Sequence, residues 1–472
     1  MSAPVNKGTV GIVGGGIAGL AAACALADAG FPVTVFERRP FVGGRASSYE
    51  HPGTGEIVDN CQHVLFGNCT NLLDFYRRIG VVEKIRWFDR LTLIEPGGRR
   101  SELSISSLPA PLHSAVSFLK APAFSAADKV AIARALTAFM GSLPPDGPEP
   151  FAHWLVRHKQ TPRAIERFWK AVLVSALNED LDRISVHYAA KVVQDLFLKS
   201  AEAGKMGVPT VPLSELYSAS IQYLEGRGGR VLLRTGIESV VPGQGKIALQ
   251  SGAGVESFDQ AVLAVPYQAL GKLLPAQNGT GDLSAALRTQ LSRFESSPIT
   301  GIHLWFDIEI TELPHAALLD RTVQWMFQKS KLQPQRADAG LSGSYVELVV
   351  SSSKSLIEMG RQEIIDMALR ELAEFFPRVK QAKLQKATVI KDLNAGYSAL
   401  PGSEAYRPNT RSPWPTILLA GDWTSTGWPA TMEGAVRSGY LAAEAISQDA
   451  GEPRKFMRPD LPAKGLMRMF GS

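Results

Sequence analysis

Three glycines near the N-terminus constrain the fold more than any other feature of the 472-residue sequence. Gly14, Gly16 and Gly19 stand in the run GGGIAG, between an apolar run at Thr9–Val13 and an Ala-rich run at Ile17–Ala29. Those runs predict a buried strand and a helix. Glycines at this spacing allow a tight turn, let the backbone approach a pyrophosphate, and let the helix pack closely on the strand. The pattern therefore predicts a dinucleotide-binding βαβ unit whose helix N-terminus faces the phosphates.

An acidic residue narrows the choice of dinucleotide. Glu37 follows a second predicted strand, Pro32–Phe36, and stands 18 residues after Gly19. At that position a carboxylate accepts hydrogen bonds from the ribose hydroxyls and repels a 2′-phosphate, which disfavours NADP and leaves NAD or FAD. No other GxGxxG lies between a strand and a helix, so the sequence offers no separate nicotinamide site and leaves the electron donor unknown.

Composition excludes several classes of protein. With 45% hydrophobic residues the chain can bury a large core, and its length suggests two or three domains. The net charge of +5 comes largely from dispersed Lys and Arg, so no nucleic-acid partner is expected. Three cysteines, in neither a disulfide framework nor a metal-ligand spacing, indicate a reducing cytoplasm and no metal site. The densest early apolar run is far short of the ~20 residues that span a bilayer, and the first residues do not predict a secretion signal.

Periodicity predicts a helical region followed by a sheet region. Residues 90–210 are predicted to be mainly helical, with a turn-rich break at Leu143–Pro150 and one apolar helical face on Ile165–Leu173. Short β-like runs at Arg230–Leu233 and Ala261–Val265 are expected to return the chain to the first sheet. The other predicted elements are helices at Asn71–Ile79 (N-cap Thr70), Ala126–Met140 (capped by Ser125 and Asp128) and Gln362–Phe376, strands at Ile299–Phe306, Val323–Phe327, Tyr345–Val350 and Ile417–Ala420, and a helix beginning near Thr431.

Two further motifs resemble those of FAD enzymes in the amine-oxidase and phytoene-desaturase superfamily. One is ERRPFVGGRASSY, residues 37–49, and the other is LLAGDWTSTGWPATMEGAVRSGYLAA, residues 418–443. In the first motif, two glycines bring the chain close to the diphosphate and flavin, and Arg45 offers five donors to a phosphate. In the second, the resemblance implies that Asp422 binds the ribityl chain and that a helix N-terminus faces the isoalloxazine, where its dipole stabilises negative charge.

This resemblance implies a fold and a cofactor. The expected fold class is α/β: a Rossmann-like FAD-binding domain with an interleaved α+β substrate domain, of the amine-oxidase or glutathione-reductase type. The FAD is expected to be non-covalent, and no Cys follows Cys69 to form a cysteinyl link in the C-terminal half. The predicted cofactor-binding residues are Gly14, Gly16, Gly19, Glu37, Arg38, Gly44, Arg45, Ile237, Gly421, Asp422, Thr431 and Met432. The predicted segments are 1–88, 213–272 and 395–450 for the FAD-binding domain, 89–212 and 273–394 for the substrate domain, and 451–472 for a basic amphipathic tail.

Within the superfamily, three segments resemble hydroxysqualene dehydroxylases, also called squalene-associated FAD-dependent desaturases. They are VDNCQHVLFGNCTNLLDFYRRIG (58–80), ITGIHLWFD (299–307) and TGWPATMEGAVRSG near the C-terminus. The resemblance extends from Val10 to about Ala445 and departs at Cys61, where the family usually has Gly; Cys tolerates positive φ poorly. It implies reductive removal of the hydroxyl of hydroxysqualene, giving squalene for hopanoid synthesis.

That reaction implies particular groups in the site. Loss of water from an allylic alcohol leaves a cation that accepts hydride, so the enzyme needs reduced FAD, a proton donor and an apolar tunnel for a C30 isoprenoid. His63, with Gln62 and Asp59 nearby, is predicted to donate the proton or to position its donor, since imidazole titrates near working pH. A structural His that bonds a loop carbonyl is the alternative. Of six aromatic residues that could stabilise a cation, one or two are expected to line the tunnel: Trp305, Phe306, Trp325, Phe327, Trp423 and Trp428.

Other functions stay open for a chain of this superfamily. Reversed electron flow would make it an FAD-dependent desaturase or oxidase of a carotenoid precursor, a porphyrinogen or an amine. Amine oxidases of the superfamily commonly carry a Lys near flavin N5, but Gly301 stands at that place and no Lys occurs from Leu273 through Gln328. Rab GDP-dissociation inhibitors resemble the superfamily in fold and act as carriers, so a non-catalytic isoprenoid carrier is a third possibility; the intact Glu37, Arg45 and Asp422 argue against it.

The C-terminal tail mixes basic side chains with Phe, Met and Leu over residues 454–470. Such a segment predicts contact with an anionic membrane surface, where each nearby basic side chain adds ~1 kcal/mol. A disordered tail, or one that crosses the protein surface, is the alternative. The expected location is therefore cytoplasmic and peripheral, on the inner face of the membrane.

Overall fold

Strands and helices alternate along the computed structural model, which describes residues 7–274, 283–333 and 343–470. Parts of the predicted segments 1–88, 273–394 and 451–472 lie outside the described residues. The strands are β1 (Val10–Val13), β2 (Val33–Phe36), β3 (Ser48–Glu50), β4 (Ile57–Asp59), β5 (Leu65–Phe66), β6 (Ile85–Phe88), β7 (Arg90–Ile94), β8 (Arg100–Ser104), β9 (Met206–Pro209), β10 (Arg230–Leu232), β11 (Ile237–Pro242), β12 (Ile247–Ser251), β13 (Gly254–Phe258), β14 (Gln260–Leu263), β15 (Ser296–Phe306), β16 (His315–Leu318), β17 (Trp325–Gln328), β18 (Ser344–Ser351), β19 (Leu384–Tyr397) and β20 (Ile417–Leu419). The α-helices are α1 (Ile17–Asp28), α2 (Thr70–Arg78), α3 (Ala115–Lys120), α4 (Ala126–Thr137), α5 (Phe151–Arg157), α6 (Pro162–Ala164), α7 (Ala171–Leu177), α8 (Val186–Val193), α9 (Leu213–Glu225), α10 (Tyr267–Leu273), α11 (Leu283–Leu291), α12 (Lys329–Leu332), α13 (Arg361–Phe375) and α14 (Met432–Asp449).

A parallel sheet forms the first domain, with the described strands in the order β10-β2-β1-β14-β20. β1 pairs with β2 on one side, Val10 opposite Val33, and with β14 on the other, Val10 opposite Gln260. The predicted returns of the chain to this sheet are confirmed, because they are β10 and β14. Ligands of such sheets bind outside the carboxyl ends of the strands, which is where the Gly14 turn lies.

Two helices pack against each other beside this sheet. α1 consists of small and apolar residues and is buried except at Asp28. A Cβ on Gly439 of α14 would lie 2.2 Å from the carbonyl oxygen of Ala18, so the two helices touch backbone to backbone. Because α1 follows β1 and α14 follows β20 in the same parallel sheet, both helix N-termini lie at one edge of the sheet.

The second domain is built on a sheet whose described strands have the order β19-β15-β18-β17-β16-β7-β8. Residues alternate between its faces. Four side chains pack on one face of this sheet, in a core that includes α13: Ile302, Leu304, Val346 and Leu348. The odd-numbered residues beside them point to the other face of the sheet. The predicted strands 299–306 and 345–350 are confirmed and are slightly longer, while the strand predicted at 323–327 begins at Trp325.

The predicted segment 89–212 is helical only in part. β7 and β8 are strands at one end of the seven-stranded sheet, and β9 pairs with β5 and β6. β8 reads RSELS and has one buried residue, Ser101, so it lacks the apolar run that marks a central strand. From α3 to α8 the segment is helical as predicted, and Ile165–Lys170 form a π-helical turn between α6 and α7.

Two helix starts test the predicted caps. Ser125 and Asp128 form the expected capping box of α4, with Ser125 Oγ accepting from the Asp128 amide at 3.2 Å. The predicted N-cap Thr70 is instead the first residue of α2, and Cys69 is the N-cap without a side-chain hydrogen bond. The carboxylate of Glu433 accepts hydrogen bonds from the amides of Asn71 and Leu72. Because Glu433 binds these first amides of α2, the helix needs no side-chain cap of its own, and it begins at Thr70 itself.

The C-terminal tail runs along both domains and is anchored in them by two buried side chains. Phe456 is buried in the core around α1 and α14, and Met467 is buried in the core of the helical layer. Asp460 forms ion pairs with Arg437 of α14 and with Lys191 of α8. The tail therefore crosses the protein surface, which is the alternative stated for it above. Among the residues that the structure describes, no helix has the length and apolar character needed to cross a membrane.

Candidate FAD and substrate site

Two glycine-rich loops meet at the carboxyl ends of β1 and β2. Gly16 forms a parallel bridge with Gly43, and the Gly43 amide donates to the Gly15 carbonyl at 2.8 Å. A Cβ on Gly44 would lie 3.0 Å from the Cα of Gly16, and Gly44 has a φ of +64°. Any larger residue would fill this cradle. Its backbone is therefore open to a phosphate in front of the α1 N-terminus, whose first turn carries no acidic residue.

The predicted ribose and adenine contacts lie beside this cradle. Glu37 is buried at the end of β2, where its carboxylate accepts from the amides of Gly15 and Arg39, each at 2.8 Å. Arg38 is exposed, and its Cβ lies 3.4 Å from the position of a Cβ on Gly236. Ile237, the next residue, begins β11. The carboxylate, Arg38 and Ile237 are thus neighbours at one end of the site.

An ion pair joins the N-terminal motif to the C-terminal one. Arg45 Nη2 donates to Asp422 Oδ1 at 2.5 Å, and Arg45 Nη1 donates to the carbonyl of Ala395 at 3.0 Å. Asp422 is buried, whereas Arg45 is partly exposed. The fold thus brings together two motifs that are 377 positions apart. Arg45 keeps donors for a phosphate while one of them orients the acid.

The last predicted cofactor contacts lie at the start of α14. Gly421 donates its amide to Ser438 Oγ at 2.8 Å, which ties the Gly-Asp turn to the helix. Thr431 is the N-cap, and its hydroxyl accepts from the Gly434 amide at 3.0 Å. Met432 is the first residue of this 18-residue helix. Two helix N-termini, one cation and a glycine cradle fit a dinucleotide whose ring carries negative charge when reduced.

Comparison with known proteins identifies the family. Residues 17–447 match the sequence model of a family described as flavin containing amine oxidoreductase. The chain belongs to this family. Two curated relatives from Synechococcus elongatus are each 27% identical: 15-cis-phytoene desaturase, over 95% of this chain and 98% of the relative, and probable zeta-carotene desaturase, over 93% and 98%.

Solved structures of other proteins have a similar fold. An oxidoreductase from Methanosarcina mazei has a TM-score of 0.71 at 17% identity, over 91% of this chain and 98% of that one. A putrescine oxidase bound to putrescine has a TM-score of 0.70 at 16% identity, over 94% and 99%. The predicted FAD cofactor and fold class are confirmed, and the chain is an FAD-dependent oxidoreductase. Gly16, Gly44 and Arg45 would hold its diphosphate.

The residues predicted to be catalytic lie on a loop pressed against the middle of β15. Asp59 ends β4, and Gln62 and His63 follow it. A Cβ on Gly301 would lie 3.3 Å from the carbonyl oxygen of Asn60. The loop therefore covers Gly301, the position at which the resemblance described above predicts the lysine of an amine oxidase. Cys61 does not adopt a positive φ, so the strain expected at this position is absent.

A buried lysine holds this loop. Lys329 Nζ lies 2.5 Å from Asp59 Oδ2, 2.8 Å from Gln62 Oε1 and 3.3 Å from Glu347 Oε2. The side chains of Lys329, Asp59 and Glu347 are exposed by 1%, 2% and 0%. Sequence reasoning missed both Lys329 and Glu347. The available signal was a charge inside an apolar run: Glu347 interrupts SYVELVV, and Lys329 directly follows the strand WMFQ.

Two carboxylates share this one ammonium. Burial raises the pKa of Asp59, but the Lys329 ammonium and hydrogen bonds from Ser48 and the Leu213 amide lower it to about 2. Glu347 has fewer compensating contacts, so burial raises its pKa to about 7 against the lowering effect of Lys329. Near neutral pH, Asp59 is therefore ionised and Glu347 is partly protonated, so the pair holds one exchangeable proton.

His63 is less suited to donate a proton. Its Nδ1 lies 2.8 Å from the Cys61 carbonyl, which can only accept, so Nδ1 carries the hydrogen. Burial lowers the pKa of the ring, which keeps it neutral near pH 7 and leaves Nε2 as an acceptor. This contact is the alternative stated above, a ring that bonds a loop carbonyl. The neutral ring can still position a substrate hydroxyl, and its predicted catalytic role stays a prediction.

An apolar wall adjoins the loop and the charged cluster. Phe327 lies opposite Glu347 in the β17–β18 pair, so both side chains point to the same face of the sheet, together with Val349 two residues on. The buried members of this apolar wall are Cys61, Met206, Val208, Phe327, Leu332 and Val349, with Val64, Phe66, Phe88, Ile299 and Trp325 packed against them. The face of the sheet that presents Gly301 and Glu347 is thus mainly apolar beside these two residues.

Two of the six predicted tunnel aromatics belong to the apolar wall, Trp325 and Phe327, whose rings stack with centroids 5.6 Å apart. Phe306 lies in the core on the opposite face of the sheet, and Trp423 in the core beside the parallel sheet. The other two have ring partners away from the wall: Trp305 stacks on Tyr345, and Trp428 packs against Arg437.

Proposed function

We propose that this flavoenzyme acts on a long isoprenoid hydrocarbon and that its reaction is the reductive removal of the hydroxyl of hydroxysqualene, giving squalene. The observation that supports it is the buried Asp59–Lys329–Glu347 cluster, which lies beside Gly301 and faces the apolar wall. Dehydroxylation needs an acid in apolar surroundings, and Glu347 provides a proton there near neutral pH. The proposed substrate is an apolar C30 chain with one hydroxyl group. The site is complementary to it, because it has one polar cluster beside an apolar wall.

The reaction needs one proton, for which Glu347 is the proposed source, and one hydride, which bound reduced FAD would supply. A proton from Glu347 goes to the substrate hydroxyl, the C–O bond breaks, water leaves, and an allylic cation remains. Reduced FAD, when bound, supplies the hydride that turns this cation into squalene. Gln62 and His63 can position the hydroxyl, and the ring faces of Trp325 and Phe327 can stabilise the cation. Lys329 keeps Asp59 ionised, so Asp59 does not compete for the proton.

Desaturation of a carotenoid precursor is the second candidate, and the relatives favour it. The two cyanobacterial proteins named above are carotenoid desaturases that match over nearly their whole length. Both candidates share a long isoprenoid substrate, and they differ in the direction of electron flow. Amine oxidation is less favoured, because Gly301 stands where the lysine would be and the apolar wall offers little to an alkylammonium.

The direction of electron flow separates the two candidates. Photoreduced holoenzyme mixed with hydroxysqualene without oxygen is expected to regain the absorbance of oxidised flavin and to form one squalene per flavin. Oxidised holoenzyme mixed with phytoene is expected to stay oxidised. Bleaching of the flavin by phytoene, with a desaturated product and no reaction with hydroxysqualene, would establish the second candidate. Protein that is colourless and takes up no FAD would instead support the non-catalytic isoprenoid carrier.

The pH dependence tests Glu347 as the acid. Its carboxyl is protonated below about pH 7 and ionised above it, so the single-turnover rate of prereduced enzyme is expected to be high below pH 7 and to fall above it. Glu347→Gln should lower the rate by roughly 100-fold and remove that inflection, since general acids contribute about 10²–10⁴-fold. Glu358 is exposed, so Glu358→Gln serves as the control and should keep both the normal rate and the inflection near pH 7. A Glu347→Gln enzyme with the normal rate and pH profile would exclude this acid.

A further inference from the structure

Seven large apolar side chains are exposed in two segments that are distant in sequence. One segment runs from 108 to 119 and the other from 466 to 470, and their exposed fractions range from 41% to 73%. We call these residues the apolar face: Leu108, Leu112, Val116, Leu119, Leu466, Met469 and Phe470. Isolated exposed apolar residues are common, but a contiguous group marks an interaction surface.

Backbone contacts join the two segments. The Leu466 amide donates to the Ala110 carbonyl at 2.8 Å, and a Cβ on Gly465 would lie 2.7 Å from the backbone of Ala110. Met467 is buried in the same core as Ala110, so the tail is fixed there by its own side chain. The exposed Leu466, Met469 and Phe470 therefore continue the surface formed around residue 110.

The helix that carries the other half is amphipathic. Val116 and Leu119 are spaced by three positions on one side of α3. Leu112 lies in the 3-10 turn Leu112–Ser114, which leads into α3 and forms with it the helical stretch 112–120. Phe118 points inward, where its ring packs on Phe124 and Phe168 with centroids 5.4 and 6.1 Å away. The stretch thus presents an outer apolar side while its inner side is anchored in the core.

Charge identifies the kind of partner. Residues 103–127 and 461–472 contain no Asp or Glu, whereas Lys120 and Arg468 are exposed beside the apolar residues and Lys129 Nζ lies 2.7 Å from the Leu119 carbonyl. A second copy of this chain would bring the same positive charges to the contact. Anionic lipid head groups would neutralise them, while the acyl chains accept the apolar side chains.

The interior behind the apolar face leads toward the active site. Phe118 and Phe168 pack in the same core as Trp325, which is partly buried against that core. Trp325 in turn stacks on Phe327 of the apolar wall. Apolar side chains therefore pack without interruption from the exposed helix to the face of the sheet that presents Gly301.

We propose that the apolar face lies in the interfacial layer of an anionic bilayer, with Lys120, Lys129 and Arg468 at the level of the head groups. The sequence predicted membrane contact along the whole tail, residues 454–470, and this proposal limits that contact to the end of the tail. Phe456 and Met467 are buried in the protein, so the tail contributes only its last turn, and the 112–120 helix supplies the other half of the contact. The proposal does not depend on which isoprenoid is the substrate.

Vesicle sedimentation of the FAD-loaded protein tests the contact. The protein should bind vesicles of phosphatidylglycerol and phosphatidylcholine and should bind pure phosphatidylcholine roughly 10-fold more weakly. Leu119→Asp and Met469→Asp should each reduce binding to the anionic vesicles by about 10-fold or more. Val255→Asp, at a position 62% exposed on β13, is the matched control and should bind normally. All variants should keep the flavin spectrum, which separates this test from that of the catalytic proposal.

Three results would overturn the membrane contact. One is normal vesicle binding by both Asp variants, and another is equal binding to neutral and anionic vesicles. The third comes from sedimentation velocity: a wild-type dimer that Leu119→Asp dissociates, while vesicle binding is unchanged, would make the apolar face a contact between copies.

Discussion

Replacing Lys329 by Met is expected to lower the free energy of unfolding by about 3–5 kcal/mol. The loss is large because Asp59 and Glu347 would keep their burial and lose the ammonium that lies 2.5 Å and 3.3 Å away. Breaking a buried ion pair from one side leaves an uncompensated charge, which costs more than the pair itself contributes. Urea unfolding of the holoprotein, followed by flavin fluorescence and circular dichroism, measures the difference.

Two further variants make this expectation specific. Lys331→Met removes an ion pair with Glu309 in which both side chains are substantially exposed, so it should cost less than about 1 kcal/mol. Adding Asp59→Asn to Lys329→Met removes the charge left behind and should recover part of the lost stability. Equal losses for the two lysine variants, or no recovery in the double variant, would show that the ammonium does not stabilise the buried acids.

The same lysine connects stability with function. Its second contact, to Gln62 Oε1, fixes the loop that lies on Gly301, so Lys329→Met should also loosen the part of the site that positions substrate. Lys329 acts here through Asp59 and Gln62 and is a positioning residue. With Glu347 intact, the variant should shift the pH at which the rate falls to a higher value, because loss of the ammonium removes the contact that lowers the pKa of that carboxyl.

The elements around the cofactor could be predicted because their signals are local. The β1–α1–β2 unit follows from two apolar runs and three glycines, and the observed bounds differ from the predicted ones by one residue. Arg45 and Asp422 were identified by motif, and their 2.5 Å contact follows from the sheet order that places β1 and β20 on either side of β14. The β1–α1–β2 unit and each of the two motifs are encoded within about 30 residues of chain, whereas the contact between Arg45 and Asp422 joins positions 377 apart.

The charged cluster could not be predicted in the same way. Asp59 was selected for its place in a family motif, but its partner Lys329 is 270 positions away, and no pattern in a single sequence pairs them. The strands β7 and β8 were missed for a different reason. β7 has only three buried residues in a row, and the edge strand β8 has one, so both are too short and too polar to stand out from a helix or loop in composition. The tail shows a third limit, because apolar residues look alike whether protein or lipid covers them.

The largest effect on cofactor binding is expected at Gly19. A Cβ at this position would lie 2.0 Å from the carbonyl oxygen of Gly14, and neither atom belongs to a flexible side chain. Gly19→Ala must therefore push α1 away from β1, at a cost of about 3 kcal/mol, near the upper end of overpacking costs. The displaced helix N-terminus and glycine turn then no longer fit the diphosphate, and the FAD dissociation constant should rise roughly 100-fold.

Gly271 offers a matched control for this substitution. It also lies inside an α-helix, α10, but a Cβ there meets no atom within 4 Å. Gly271→Ala should bind FAD normally and gain about 0.5–1 kcal/mol of stability, since Ala restricts the unfolded chain more than Gly does. If Gly19→Ala fails to fold, Asp422→Asn, which weakens the Arg45 ion pair and the predicted ribityl contact, provides the folded variant for titration. Normal FAD affinity in folded Gly19→Ala protein would mean that α1 does not have to touch the Gly14 turn for the cofactor to bind.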